Sequence, residues 1–211
     1  MKGNSDNVFL PPVSNKCKNF TPPYPICLTT ACGQDFLCFF TKKFGFSNHF
    51  LTPKPIKIDG VEYCCSEQFY MYMKAMYFDY RSLAEEIMLT NDPSTIKKTW
   101  KCRYNETTTS KWSRIKINVM LTGLRAKFEQ NVQLFNMLIE TENALLIEAS
   151  QTDLFWGIGC SLTGEEIKSI DNWRGSNQMG ILLMKLRTEF QYRCRANEFV
   201  IKKEEYEDDC F

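Results

Sequence analysis

Residues 66–78, SEQFYMYMKAMYF, constrain this chain more than any other segment. Nearly every position is apolar or aromatic, which predicts a buried helix, since a helix without a polar face has little to offer water. Yet Glu67 and Lys74 stand seven positions apart within it. At ~3.6 residues per turn this is close to two turns, so both side chains leave one face and address a single space roughly 10 Å long. A buried carboxyl or ammonium group is costly unless it is paired or put to use. Ion pairs within a helix prefer spacings of three or four, so this longer one points to a ligand between the two groups. A plain salt bridge across two turns is the structural alternative.

The rest of the composition describes an ordinary folded chain. Its 211 residues are 44% hydrophobic and 14% aromatic, enough for one domain with a sizeable core. No apolar run reaches the ~18–20 residues of a membrane span, and the opening MKGNSDNVFLPP lacks the apolar stretch of a secretory signal. A cytoplasmic or nuclear location without membrane association is therefore expected. Ten cysteines occur without a C-x-x-C pair and beside one histidine, His49, so no metal site and no cofactor is expected. Free thiols suit a reducing compartment, with Cys27, Cys32 and Cys38 forming the one cluster able to hold a bridge. The N-x-T sequons at Asn19 and Asn105 matter only in a secreted chain.

A net charge of +1 conceals an asymmetry. The final EEYEDDCF holds five acids and reads as a solvated tail, whereas residues 97–116 hold seven Lys or Arg against Glu106 alone. That basic stretch suits a phosphate-bearing ligand but is too small for the extended contacts of a dedicated DNA-binding domain. A merely solvated basic face is the other reading.

Along the chain, residues 1–35 are rich in Pro, Asn, Ser and Cys without a period and predict a loose N-terminal extension. The domain is expected over 36–195, followed by the acidic tail at 196–211. Residues 36–40 read as a strand, and 55–64 alternate around Asp59-Gly60, a two-residue hairpin turn. Helices are expected over 66–78 and 81–91, and another starts at Asp92-Pro93. The longest helical stretch, 111–139, carries a core stripe of Ile115, Val119, Leu124 and Phe128, with Gly123 or residues 129–131 bending or dividing it. Residues 143–150 read as a buried strand or extended segment, 151–176 as loop with a short helix near 165–169, and 177–194 as the last helix. The expected fold class is α+β and predominantly helical, a single domain with a small β element on one side.

Three further segments join Glu67 and Lys74 as candidates for a small-molecule site. In EASQTDLFWGIG (148–159), Asp153 can orient a hydroxyl or stabilise positive charge, Trp156 offers a stacking surface, and Gly157 lets backbone approach a ligand. A turn carboxylate and a core indole are equally good readings of Asp153 and Trp156. In WRGSNQMG (173–180), Trp173, Asn177 and the amides of a helix start can meet a phosphate or ribose, although Asn177 as a simple helix cap fits as well. Trp112, inside the basic stretch, can stack on a base or fill the core.

Read in order, FGFSNHF (44–50), PIKIDGVEYCCSEQFYMYMKA (55–75), WSRIKINVMLTGLRAKFEQN (112–131), EASQTDLFWGIG and WRGSNQMGILLMKLR (173–187) resemble the NADAR, or YbiA-like, family of N-glycosidases. The resemblance implies the YbiA-like fold and cleavage of a bond between a ribose anomeric carbon and a nitrogen. It places the family's essential glutamate on Glu67, its lysine on Lys74 and its aspartate on Asp153. Asn48, Trp112 and Trp156 fall on its substrate-binding positions. Gln68 stands where the family often has histidine, and His49 where it has phenylalanine. The implied substrate is a ribosylamino-pyrimidine phosphate of riboflavin biosynthesis. The alternatives are hydrolysis of ADP-ribose from guanine in nucleic acid, or an ADP-ribose binding module without catalysis. Nucleic acid would then enter only as substrate, and no obligate protein partner is expected.

Overall fold

A computed structural model describes residues 26–29, 33–103 and 110–195. Strand β2 (Asp35–Phe39) is the centre of a three-stranded sheet, with β1 (Ile26–Thr29) antiparallel on one side and β5 (Leu145–Glu148) parallel on the other. Strand β1 falls inside the stretch expected to be loose. Its four residues are too few to show alternation amid prolines and cysteines, and it is pairing with β2 that satisfies its backbone. Cys27, one of the three cysteines expected to be able to hold a bridge, is disulfide-bonded, whereas Cys38 of the same cluster and Cys64, Cys65, Cys160 and Cys194 are free.

The expected hairpin is present as β3 (Ile56–Ile58) and β4 (Val61–Tyr63). Asp59 and Gly60, with φ of 50° and 82°, make its turn, the left-handed pair that suits the twist of two-residue hairpins. Helix α1 (Ser66–Tyr77) follows at once, then α2 (Arg81–Met88) and α3 (Pro93–Arg103). Asp92 caps α3, accepting from Ser94 N–H at 3.3 Å and Thr95 N–H at 3.2 Å.

The long helical stretch is divided into α4 (Ser110–Glu129) and α5 (Val132–Glu140), broken at the polar residues 130–131. Leu124 and Phe128 of the expected stripe are fully buried, while Ile115 and Val119 lie at its edge and Trp112, Met120 and Lys127 take the centre. Gly123 lets α1 approach α4, since a Cβ there would come within 2.7 Å of the Phe69 ring. Helix α6 (Gln178–Arg195) closes the fold against β5 and α5.

The sheet separates two cores. Leu37, Phe39 and Leu146 face the helices, while Phe36, Cys38 and Ile147 face the loop residues Ile158 and Cys160 and Ile167 of the expected short helix, a 3-10 turn over Glu165–Lys168. The parallel pairing of β2 and β5 has a positional consequence. Both strands end at the same edge, so the loops after Phe39 and after Glu148 emerge side by side above α1. Among the described residues no helix is long and apolar enough to cross a membrane. Cys32, Asn19, Asn105 and the acidic tail 196–211 lie outside the described residues.

Candidate active site

The two adjacent loops and the buried face of α1 enclose a cavity of about 450 Å³. Glu67, Lys74, Asp153, Asn48 and Trp156 all line it. The seven-residue spacing therefore does what helix geometry dictates, delivering an acid and an amine to one hollow.

Glu67, only 4% exposed, is tied to the first loop twice. Its backbone N–H donates to the Asn48 carbonyl at 2.9 Å, and its Oε2 accepts from Asn48 Nδ2. His49 Nε2 lies 3.7 Å from Glu67 Oε1, and burial, only partly opposed by the Glu67 charge, holds the imidazole below its ordinary pKa. The start of α1 is fixed by Gln68, which donates to the carbonyls of Ile87 and Thr90 and accepts from Cys64 N–H at 2.7 Å. Gln68 thus acts as a structural clamp.

Lys74 extends its Nζ to 4.2 Å from the centre of the Trp100 ring, a cation–π contact that steadies the ammonium group. Trp100 itself lines the cavity, together with Lys97 of the same helix. Asp153 accepts from the N–H groups of Phe155 at 3.1 Å and Trp156 at 2.8 Å through Oδ1. Its Oδ2 sits 4.0 Å from Lys97 Nζ. The carboxylate therefore shapes its own loop and faces a cation at the mouth. Trp156 meets Tyr70 edge-on with ring centres 5.7 Å apart, and burial raises the Tyr70 hydroxyl above its ordinary range.

Two further ionisable groups are buried here, Glu148 in the wall and Lys127 behind it. Glu148, at the end of β5, has its carboxyl raised to about 8 by burial and, secondarily, by the nearby Asp153 charge. Lys127 lies behind the first loop, wholly buried, with Nζ donating to the Ser47 carbonyl at 2.7 Å. Burial lowers its amine to about 7. It pins the loop that presents Asn48.

A model of the NADAR domain matches residues 35–191. The chain belongs to the NADAR family. Among similar proteins, Protein irg-1 of Caenorhabditis elegans is 33% identical over 165 residues, covering 77% of this chain and 78% of its own length. N-glycosidase YbiA of Escherichia coli (strain K12) is 33% identical over 135 residues, covering 64% of this chain and 75% of YbiA. An NMR structure of the E. coli protein YbiA superposes with a TM-score of 0.60 at 29% identity, covering 81% of this chain and 92% of that one. The NADAR match spans every residue of the cavity wall, from Phe40 to Met179.

Four residues grouped with the site on sequence grounds do not line the NADAR cavity. Trp112 is 1% exposed and packs behind Tyr70, Tyr77 and Phe78, one layer below the wall. Gly157 serves close packing instead of ligand approach, since a Cβ there would lie 2.7 Å from Ser150 Cβ and 2.9 Å from the Glu148 carbonyl. Trp173 lies on the far side of the sheet against Phe36, its Nε1 donating to the Ile167 carbonyl at 3.3 Å. Asn177 is buried and bridges to β5, accepting from Glu148 N–H at 3.0 Å and donating to the Leu146 carbonyl at 2.9 Å. The helix-start amides beside it are also occupied, Gln178 N–H by Phe155 and Met179 N–H by Trp156. Glu148, Trp100 and Tyr70 also line the wall; they lie within or beside the segments that the sequence singles out but are not among the residues it marks there. Strand alternation is the available signal for Glu148, which shares the face of Leu146.

Proposed function

We propose that this chain is a hydrolase of N-glycosyl bonds, an N-glycosidase whose substrate is a phosphorylated riboside of the ribosylamino-pyrimidine type. The observation that carries the reading is the convergence of Glu67, Lys74 and Asp153 on one cavity of a size that holds a small ligand. The family relationship, with YbiA named as an N-glycosidase, supports the bond class. Cleavage of such a bond builds positive charge at the anomeric carbon, which a nearby carboxylate stabilises.

In this scheme Glu67 is the acid/base and Lys74 the nucleophile. Lys74 passes a proton to Glu67, and its amine forms a bond to the anomeric carbon as the base nitrogen leaves, taking up a proton from an acid of the site. The sugar ring opens to a Schiff base, and water then releases the ribose and frees the lysine. Asp153 holds a ribose hydroxyl, and Lys97 and Lys42 at the mouth meet the phosphate. A module that only bound its ligand would need stacking and shape but no buried acid and amine together.

One observation favours a longer substrate, ADP-ribose linked to guanine. A second, more open hollow of about 670 Å³, lined by Lys43, Phe50 and Pro93, adjoins the first and shares Lys42 and His49 with it. The test is incubation with a ribosylamino-pyrimidine phosphate and, separately, with guanine-ADP-ribosylated DNA, in each case with borohydride. Hydrolysis of one substrate and a trapped adduct on wild type but not on Lys74→Ala are expected. Full activity of Lys74→Ala without an adduct removes the covalent step.

A further inference from the structure

Three carboxyl groups line the cavity, and they are not equivalent. Glu67 accepts from the Asn48 amide, and Asp153 accepts from two backbone N–H groups. Glu148 Oε2 is buried yet has no hydrogen-bond partner among the described residues. Its placement is fixed from the backbone outward. Glu148 N–H donates to Asn177, its carbonyl accepts from Ile158 N–H at 3.0 Å, and the residue pairs across the sheet with Phe39. Alternation along β5 sends the side chain to the face of Leu146, toward the cavity. The charged groups that face it are Asp153 from the following loop, Lys97 from α3 and Lys127 from α4, with Glu67 and Lys74 on the same wall.

A buried carboxyl oxygen without a partner is costly as an anion, and the neutral acid carries an O–H that must be directed somewhere. Neutrality at pH 7 follows from the burial and the Asp153 charge, which hold the group near 8. Glu148 lines the hollow, so a bound ligand is the partner within reach of that donor. We propose that Glu148 is a further catalytic residue, the acid that delivers a proton to the departing base nitrogen. This rests on the N-glycosidase reading and completes it. As the carbon–nitrogen bond breaks, the proton passes from Glu148 to the leaving nitrogen while the Lys74 amine, having given its proton to Glu67, takes the anomeric carbon. Glu148 is left as a carboxylate beside Lys97 and Lys127, and water cleaving the lysine adduct returns the proton.

The test is single-turnover hydrolysis by the full chain, wild type against Glu148→Gln, on two substrates. One is a ribosylamino-pyrimidine phosphate, whose leaving nitrogen needs a proton, and the other a nitrophenyl riboside 5-phosphate, whose leaving group departs as an anion. E148Q is expected to lose ~10²–10⁴-fold on the first substrate and no more than ~10-fold on the second. Wild-type turnover on the first falls as pH rises through about 8, and E148Q lacks this limb. Glu148→Asp, which keeps a proton to give, retains more activity than E148Q and carries the comparison if E148Q folds poorly. Equal losses on both substrates, or an E148Q as active as wild type, overturn the role. A wild type inactive on both substrates overturns the riboside-phosphate reading on which this role rests, a separate and distinguishable result.

Discussion

Two groups of charged side chains in this molecule contain similar residues and behave oppositely. Between α4 and α6, Arg125, Glu129, Glu189 and Arg193 are all about 30% exposed and close on one another. Arg125 grips Glu189 through both nitrogens, and Arg193 reaches Glu129 and Glu189 at 2.6 Å each. Hydrogen bonding from Arg125 holds the Glu189 carboxyl below its ordinary range. In the cavity, Glu67, Lys74, Lys97, Glu148 and Asp153 stand around a volume instead. Lys97 and Asp153 come no nearer than 4.0 Å, and one Glu148 oxygen has no partner among the described residues. The number of charges does not mark a site. Carboxyl and ammonium groups gathered around a ligand-sized hollow do.

The contrast can be broken at its strongest point by Glu67→Gln and Lys74→Ala. Each is expected to lower turnover by ~10²–10⁴-fold while leaving the thermal midpoint close to wild type. Undiminished turnover in both would place the cavity charges with the merely structural ones. Asp153→Asn keeps an oxygen to accept from the Phe155 and Trp156 N–H groups, so its loop is preserved. A smaller loss of ~10–100-fold is expected there, read as kcat/KM.

A pH comparison sharpens the contrast next. Glu148 titrates near 8 in the folded chain against an ordinary 4.5, so between these values the folded state holds a proton that the unfolded state has lost. Stability contributed by the neutral acid is therefore complete below about 4.5 and declines as pH rises toward 8. Urea unfolding from pH 5 to 7 should show wild type losing on the order of 2 kcal/mol relative to E148Q. Lys127 works in the opposite sense and in a higher window. Its amine is lowered to about 7, so stability rises with pH from there toward 10.5, and Lys127→Met abolishes that rise. The smallest effect belongs to the surface network. Arg193→Ala should cost ~1 kcal/mol or less, shrink further in high salt and leave turnover unchanged.

Much of this architecture is readable from local signals. Asp59-Gly60 announces its hairpin, Asp92-Pro93 its helix start, and the polar residues after Glu129 a division of the long helix. Strand β1 is not readable, because ICLT acquires its conformation from a neighbour and not from its own pattern. The stripe on α4 is readable only at Leu124 and Phe128, since the tertiary contacts rotate its centre toward Trp112, Met120 and Lys127. In the cavity, Glu67 and Lys74 are legible because one helix fixes their separation. Trp112 and Trp173 mislead because an indole beside polar residues looks alike in sequence whether it forms a wall or lies behind one. Glu148 is hidden for the converse reason. Which side of a strand faces a ligand is decided by the pairing partner, and alternation with Leu146 says only that Glu148 shares its face, not that a ligand lies there.

That pairing has a mechanical corollary. Four rungs, Phe36 with Leu145 through Phe39 with Glu148, are the gauge that sets the height of one ligand-bearing loop against the other. Displace β5 by a single rung and Ile147 would project where Glu148 now does, an oily side chain replacing an acidic one. Either loop can be lengthened without disturbing this alignment, but the ladder beneath them cannot be re-indexed.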